Sequence, residues 1–170
     1  EAAKRGLASA QNNLGSLYSS GKDVPLNKPA AFEWYKKAAD GGDATAQASV
    51  ATMYMEGQGV VTNLGLALEW AQKAAAQGNA LGQRSVGVIY ASGLGVATNE
   101  PLAVKWLTSA ANQGDAPAIL LLAYIFASSQ NADLRDTSRA LELIKSVAAK
   151  LPDHWKIYRT RGLANAGEGE

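Results

Sequence analysis

Several residues in this chain are of types that do chemistry elsewhere. Gly57-Gln58-Gly59 and Gly93-Leu94-Gly95 resemble pieces of a phosphate-cradling loop. Such loops follow a strand and open a helix, with a lysine or a third glycine at a fixed distance. These glycines instead close a helical segment and recur at the same place in successive segments, so they read as helix ends. Glu33, Glu69 and Glu142 could supply carboxylates for acid–base work. The first two occupy one recurring position beside a tryptophan, which marks a solvated helix face rather than a site. His154 is the only histidine. It has Asp153 and Trp155 as neighbours but no partner set for a triad or a zinc centre. There is no cysteine, which excludes disulfide staples, thiolate metal sites and a cysteine nucleophile. No cofactor is expected.

What organises these residues is a repeat. Trp34, Trp70 and Trp106 are 36 residues apart. Leu14, Val50, Val86 and Leu122 keep the same step, as do Tyr18, Tyr54, Tyr90 and Phe126. Ala38-Ala39, Ala74-Ala75 and Ala110-Ala111 follow it, with Gly42, Gly78 and Gly114. A sequence period of this length signals stacked supersecondary units. Three complete units run 8–43, 44–79 and 80–115. A degenerate fourth covers 116–151. Residues 1–7 match the end of a preceding helix through Ala2, Ala3 and Gly6. Residues 152–170 read as a capping helix, His154 to Arg161, and a tail.

Each unit reads as two helices. In the second, helix A is Ala44 to Glu56, with Ala46, Val50, Ala51 and Tyr54 on one face. Gly57 suits a left-handed helix end, and Val60 folds back on the last turn. Asn63 is placed to cap helix B. Pro29 and Pro101 fall in the first turn after the matching asparagines, where a missing N–H is harmless. Helix B carries Ala67, Trp70 and Ala74 and stops at Gly78. Small residues at Gly15, Ala51, Gly87, Ala123, Ala31, Ala67 and Ala103 permit close helix approach. The tryptophan and tyrosine rings are expected to fill the core between helices. Asp23 stands where the later units have the second glycine, and Asp tolerates left-handed backbone better than most residues.

This pattern resembles the Sel-one-like repeat family, a branch of the tetratricopeptide-type helical solenoids. The second unit carries it as Ala44, Ala46, Val50, Ala51, Tyr54, Gly57, Gly59, Val60, Ala67, Trp70, Lys73, Ala74, Ala75 and Gly78. In the third, Gly82 takes the second alanine position and Ser109 the lysine position. The fourth loses its glycines and its tryptophan: Ser129 replaces the first glycine, and Leu143 replaces the tryptophan after one inserted residue. The resemblance implies an all-α, right-handed α/α solenoid of about four 36-residue hairpins plus a C-terminal capping helix.

It also implies a protein–protein interaction scaffold that binds a partner polypeptide in a concave groove lined by helix A. The groove rows are Asn12, Ala48, Arg84 and Leu120; Ser16, Thr52, Val88 and Tyr124; Ser19, Met55, Ala91 and Ala127; and Ser20, Glu56, Ser92 and Ser128. Candidate contacts are Asn12, Ser16, Thr52, Met55, Glu56, Arg84, Val88 and Tyr124. Arginine and tyrosine are enriched at interface hot spots, and methionine adapts to varied partners. Helix A of the fourth unit is apolar nearly all round, through Ile119-Leu120-Leu121-Leu122 and Ile125. Either the chain's own end or a partner covers its extra face.

The family resemblance leaves two other functions open. One is an immunity protein that neutralises a secreted bacterial effector. The other is a penicillin-binding or β-lactamase-like enzyme, but that belongs to cysteine-rich relatives, and no nucleophile–base pair is present here. Sixteen basic against 15 acidic side chains give a net charge of +1, too balanced for a broad nucleic-acid footprint. The longest apolar run, Ala118 to Ala127, is too short to insert in a bilayer. Glu1-Ala2-Ala3-Lys4-Arg5-Gly6 lacks the apolar stretch of an export signal, as a mature form or an excised portion would. By resemblance, a bacterial periplasmic or exported protein is favoured over a cytoplasmic one.

Overall fold

The computed structural model describes residues 2–148, with side chains from Gly6 onward. It contains eight helices: α1 Ala2–Ser20, α2 Lys28–Asp40, α3 Ala44–Glu56, α4 Leu64–Ala76, α5 Ala80–Ser92, α6 Glu100–Ala111, α7 Ala116–Ser128 and α8 Thr137–Ala148. No strand occurs among the described residues. Each odd-numbered helix packs on the even-numbered one that follows and on the one before it, and α3 also packs on α5. The result is an α/α solenoid of two layers. The expected capping helix, His154 to Arg161, lies outside the described residues.

Polar side chains at fixed repeat positions start the helices. Asn27, Asn63 and Asn99 each accept a hydrogen bond through Oδ1, at 3.0 Å, from the backbone N–H of Ala30, Leu66 and Leu102. Asp43, Asn79 and Asp115 do the same for α3, α5 and α7, accepting from Ala46, Gly82 and Ala118 at 2.8–2.9 Å. Each such cap stabilises a helix by about 1 kcal/mol. Gly57 ends α3 in the left-handed conformation, with its N–H on the carbonyl of Met53. Asp23 adopts φ 65° and is the one non-glycine residue with positive φ among those described.

The loop between the two helices of a unit is closed by the cap residue's own N–H. Asn27, Asn63 and Asn99 donate to the carbonyls of Tyr18, Tyr54 and Tyr90 at 2.9–3.0 Å. In the fourth unit Asp136 donates to Phe126 at 2.8 Å, and its carboxylate caps α8 by accepting from the Arg139 N–H. The inserted residue is thus absorbed in this loop. Ser129 ends α7 without a left-handed turn and hydrogen-bonds Glu100 of the preceding unit through its buried hydroxyl.

No helix break accompanies the repeat boundary read between residues 7 and 8, and α1 is one helix from Ala2 to Ser20. The reason is the residue at position 7. Asp43, Asn79 and Asp115 occupy that place in the later units and start a new helix. Leu7 has no side-chain acceptor, so nothing stabilises a break, and Gly6 stays inside the helix with no positive φ.

Two apolar clusters form the core. One joins α2 to α5 around Phe32, Tyr35, Val50, Met53, Trp70 and Val86; the other joins α6 to α8 around Leu107, Leu122, Phe126 and Ile144. Tyr90 touches both. Small residues set the helix spacing as expected: a Cβ on Gly87 would stand 2.6 Å from Leu107 Cγ. The three tryptophans are not equally enclosed, which corrects the expectation that all are core. Trp70 is 7% exposed, whereas Trp34 and Trp106 are only partly buried. Trp70 lies between the ammonium groups of Lys36 and Lys73, at 5.0 and 4.3 Å from the ring centre. Trp34 has Lys37 alone at 4.5 Å. At the matching places around Trp106 stand Gln72 and Ser109, which offer neither a cation nor a lysine's long aliphatic stem to cover the ring.

A polar ladder joins consecutive units inside this apolar frame. Gln77 Nε2 donates to Gln47 Oε1 at 2.8 Å and to the Gly42 carbonyl at 3.3 Å. Gln113 repeats both bonds one unit later, to Gln83 Oε1 at 2.8 Å and the Gly78 carbonyl at 2.9 Å. Gln47 and Gln83 are buried, so these bonds satisfy amides that burial would otherwise leave at a cost of about 1–3 kcal/mol each.

Candidate functional site

A single stripe of α3 faces a single stripe of α5. Ser49, Thr52, Met53 and Glu56 recur at i, i+3, i+4 and i+7, and so do Leu81, Arg84, Ser85 and Val88. That spacing places each set on one helical face. Between them lies a cavity of about 340 Å³, completed by Ser19, Tyr35, Met55 and Gln58. Its lining combines aliphatic and thioether side chains with hydroxyls and two charges.

Five of the eight candidate contacts meet at this cavity: Thr52, Met55, Glu56, Arg84 and Val88. Ser16 is exposed on α1, outside the cavity lining. Tyr124 is 44% exposed on α7, beyond it. The row that holds Asn12 is largely internal. Ala48 and Leu120 are buried, and Asn12 is half-buried, with an Oδ1 that is fully enclosed and has no hydrogen-bond partner among the described residues. Two residues before the large aliphatic, the helix is already turning toward the neighbouring unit. Only Arg84, with its long side chain, escapes that packing to reach the cavity. Replacing Asn12 by alanine, the residue at position 48, removes a buried acceptor and raises helix propensity. The expected result is stabilisation by about 1–2 kcal/mol, read as a shift in the urea midpoint. A lower midpoint would show that the Asn12 amide is satisfied after all.

Arg84 is held from behind. Its Nε lies 3.1 Å from Asp115 Oδ1 and 3.2 Å from Oδ2, and Asp115 also caps α7. One carboxylate therefore fixes both the start of α7 and the direction of the guanidinium. Glu56 is exposed and accepts a hydrogen bond from Gln58 Nε2. Sequence reasoning missed Asp115, Ser49, Ser85 and the glutamine ladder. The signals were present as an aspartate or asparagine at 43, 79 and 115 and glutamines at 11, 47, 83, 77 and 113. No group of histidine, cysteine, aspartate and glutamate that could hold a metal occurs among the described residues. None of their helices is long and apolar enough to cross a membrane.

The Sel1 repeat family model matches residues 8–43, 44–79, 80–115 and 116–150. The chain belongs to the Sel1 repeat family. Sel1 repeat proteins are in general non-catalytic scaffolds for protein interactions. Among solved structures, the chain is similar to a Sel1 repeat protein from Oxalobacter formigenes, at 30% identity and TM-score 0.76 over 84% of this chain and 58% of that one. It is also similar to a protective antigen present in uropathogenic Escherichia coli strains that displays an SLR fold. There the identity is 29% and the TM-score 0.79, over 88% of this chain and 32% of that one. A Pseudomonas aeruginosa protein at 21% identity shares the fold alone. The chain thus spans 58% and 32% of the first two Sel1 repeat relatives. No protein of curated function matches it significantly.

Proposed function

We propose that this Sel1 repeat chain is an interaction scaffold that binds a segment of a partner polypeptide across α3 and α5. The observation that carries this reading is the cavity. The rotation of one repeat against the next opens a concave surface in a solenoid. Here two helical stripes diverge enough to leave about 340 Å³, at the lower end of the usual range for ligand pockets. Its mix of aliphatic and hydroxyl lining suits a peptide, which brings side chains for the apolar part and amides for the hydroxyls. Asp115 fixes Arg84 through Nε, leaving the outer nitrogens of the guanidinium without hydrogen-bond partners among the described residues. They are placed to donate to a peptide's carbonyls at little entropic cost. Tyr124 offers an exposed aromatic contact one unit further along.

Selection of a displayed library of short random peptides against the chain tests this. Selected peptides are expected to lose binding to Val88→Asp, which puts a charge in the cavity lining. They should keep it against Gln72→Asp, at an exposed position on α4. Equal binding to both variants would move the site off the groove.

A further inference from the structure

The cavity is lined by one acidic and one basic residue, and the two are not equivalent. Arg84 is neutralised by Asp115, 3.1 Å away. Glu56 has no cationic partner among the described residues, and its hydrogen bond is to the neutral amide of Gln58. Glu56 is also the last residue of α3, at the negative end of the helix dipole. No basic residue stands in the last turn of α1, α3, α5 or α7, whereas α2, α4 and α8 carry Lys37, Lys73 and Lys145 there. Those lysines lie at the ends of their own helices, and α6, like the odd-numbered helices, has none. Lys28 Nζ donates to the Ser19 carbonyl at 3.0 Å and to the Ser19 hydroxyl at 3.2 Å, and forms no ion pair with Glu56.

We infer that the groove selects a basic–apolar segment. A lysine or arginine of the partner sits on Glu56 at the end of α3, and an adjacent aliphatic side chain packs on the apolar lining of Met55, Leu81 and Val88. This rests on the peptide-binding reading above and names the chemistry of its ligand. Burial of the ion pair by the bound segment strengthens it relative to an open surface pair. A charge at the rim of an interface also sets the association rate and its salt dependence.

The peptides selected above are the probes. Their sequences should be enriched in lysine or arginine beside leucine, isoleucine, valine or methionine. The tightest peptide, resynthesised, should bind Glu56→Gln about three- to tenfold more weakly at low ionic strength. Its affinity for the wild-type chain should fall as salt rises, and this slope should flatten in the variant. A peptide with its basic residue changed to glutamate should bind Glu56→Lys better than wild type, while Glu33→Gln on α2 changes nothing. Selected peptides that are acidic or uncharged, or that ignore Glu56→Gln while losing binding to Val88→Asp, overturn the charge assignment and leave the groove standing. Peptides indifferent to both substitutions, or no peptide recovered at all, overturn the groove reading itself.

Discussion

Replacing Trp70 by alanine should destabilise the chain by about 3–5 kcal/mol, the usual cost of deleting a large buried aromatic. For a chain of this size that corresponds to a fall in Tm of roughly 6–20 °C. The ring is 7% exposed and belongs to the cluster that joins α2, α3, α4 and α5. Its loss leaves a void that neighbours anchored in two units cannot all collapse into. A repeat stack holds together through contacts between adjacent units, so the damage should also appear as lost cooperativity. Transitions followed by far-ultraviolet circular dichroism and by tryptophan fluorescence should separate in the variant and coincide in the wild type. Trp34→Ala and Trp106→Ala should cost less, because those rings are partly exposed and lack the double lysine cover. Equal losses at all three positions would show that neither ring burial nor the flanking lysines set a gradient along the stack.

That gradient marks where sequence reading stops. The 36-residue register located the units, the asparagine caps of the even-numbered helices and the left-handed position at Asp23, because each depends on residues close together in the chain. The unequal tryptophans depend on a residue in the preceding unit: Lys36 covers Trp70, and Gln72 stands in its place beside Trp106. The continuity of α1 depends on one substitution, Leu7 at a capping position, that a search for similarity passes over. The groove was legible as a set of rows but not as a cavity. Helical position predicted that Thr52, Met55, Glu56, Arg84 and Val88 share a face. Whether that face opens or closes depends on the tilt of one unit against the next, and this buried Ala48 and Leu120 while leaving the cavity between α3 and α5. The pairing of Arg84 with Asp115 crosses 31 residues and follows from the same tilt.

Gly59 tests the tilt directly. Its φ is +73°, and a Cβ there would lie 2.3 Å from the carbonyl carbon of Lys28 and 2.6 Å from the Pro29 nitrogen. Those are backbone atoms of the first turn of α2, which cannot swing aside as a side chain can. The loop of the second unit is therefore seated on the helix start of the first, with no room for a methyl group. Gly59→Ala should cost roughly 2–5 kcal/mol, from the left-handed backbone together with the overpacking. Gly78 has a φ of +81° but nothing within 4 Å of a Cβ, so Gly78→Ala should cost only the backbone part, about 1–2 kcal/mol. Asp23 separates the two contributions. It holds the position of Gly59 one unit earlier, at φ 65°, with its side chain exposed. An aspartate therefore accepts this backbone where no described helix lies against it. Gly59→Asp should be as damaging as Gly59→Ala, whereas Asp23→Gly should be nearly neutral. Equal urea midpoints for Gly59→Ala and Gly78→Ala would mean that the loop is not seated on α2, and that the units stack at a different angle.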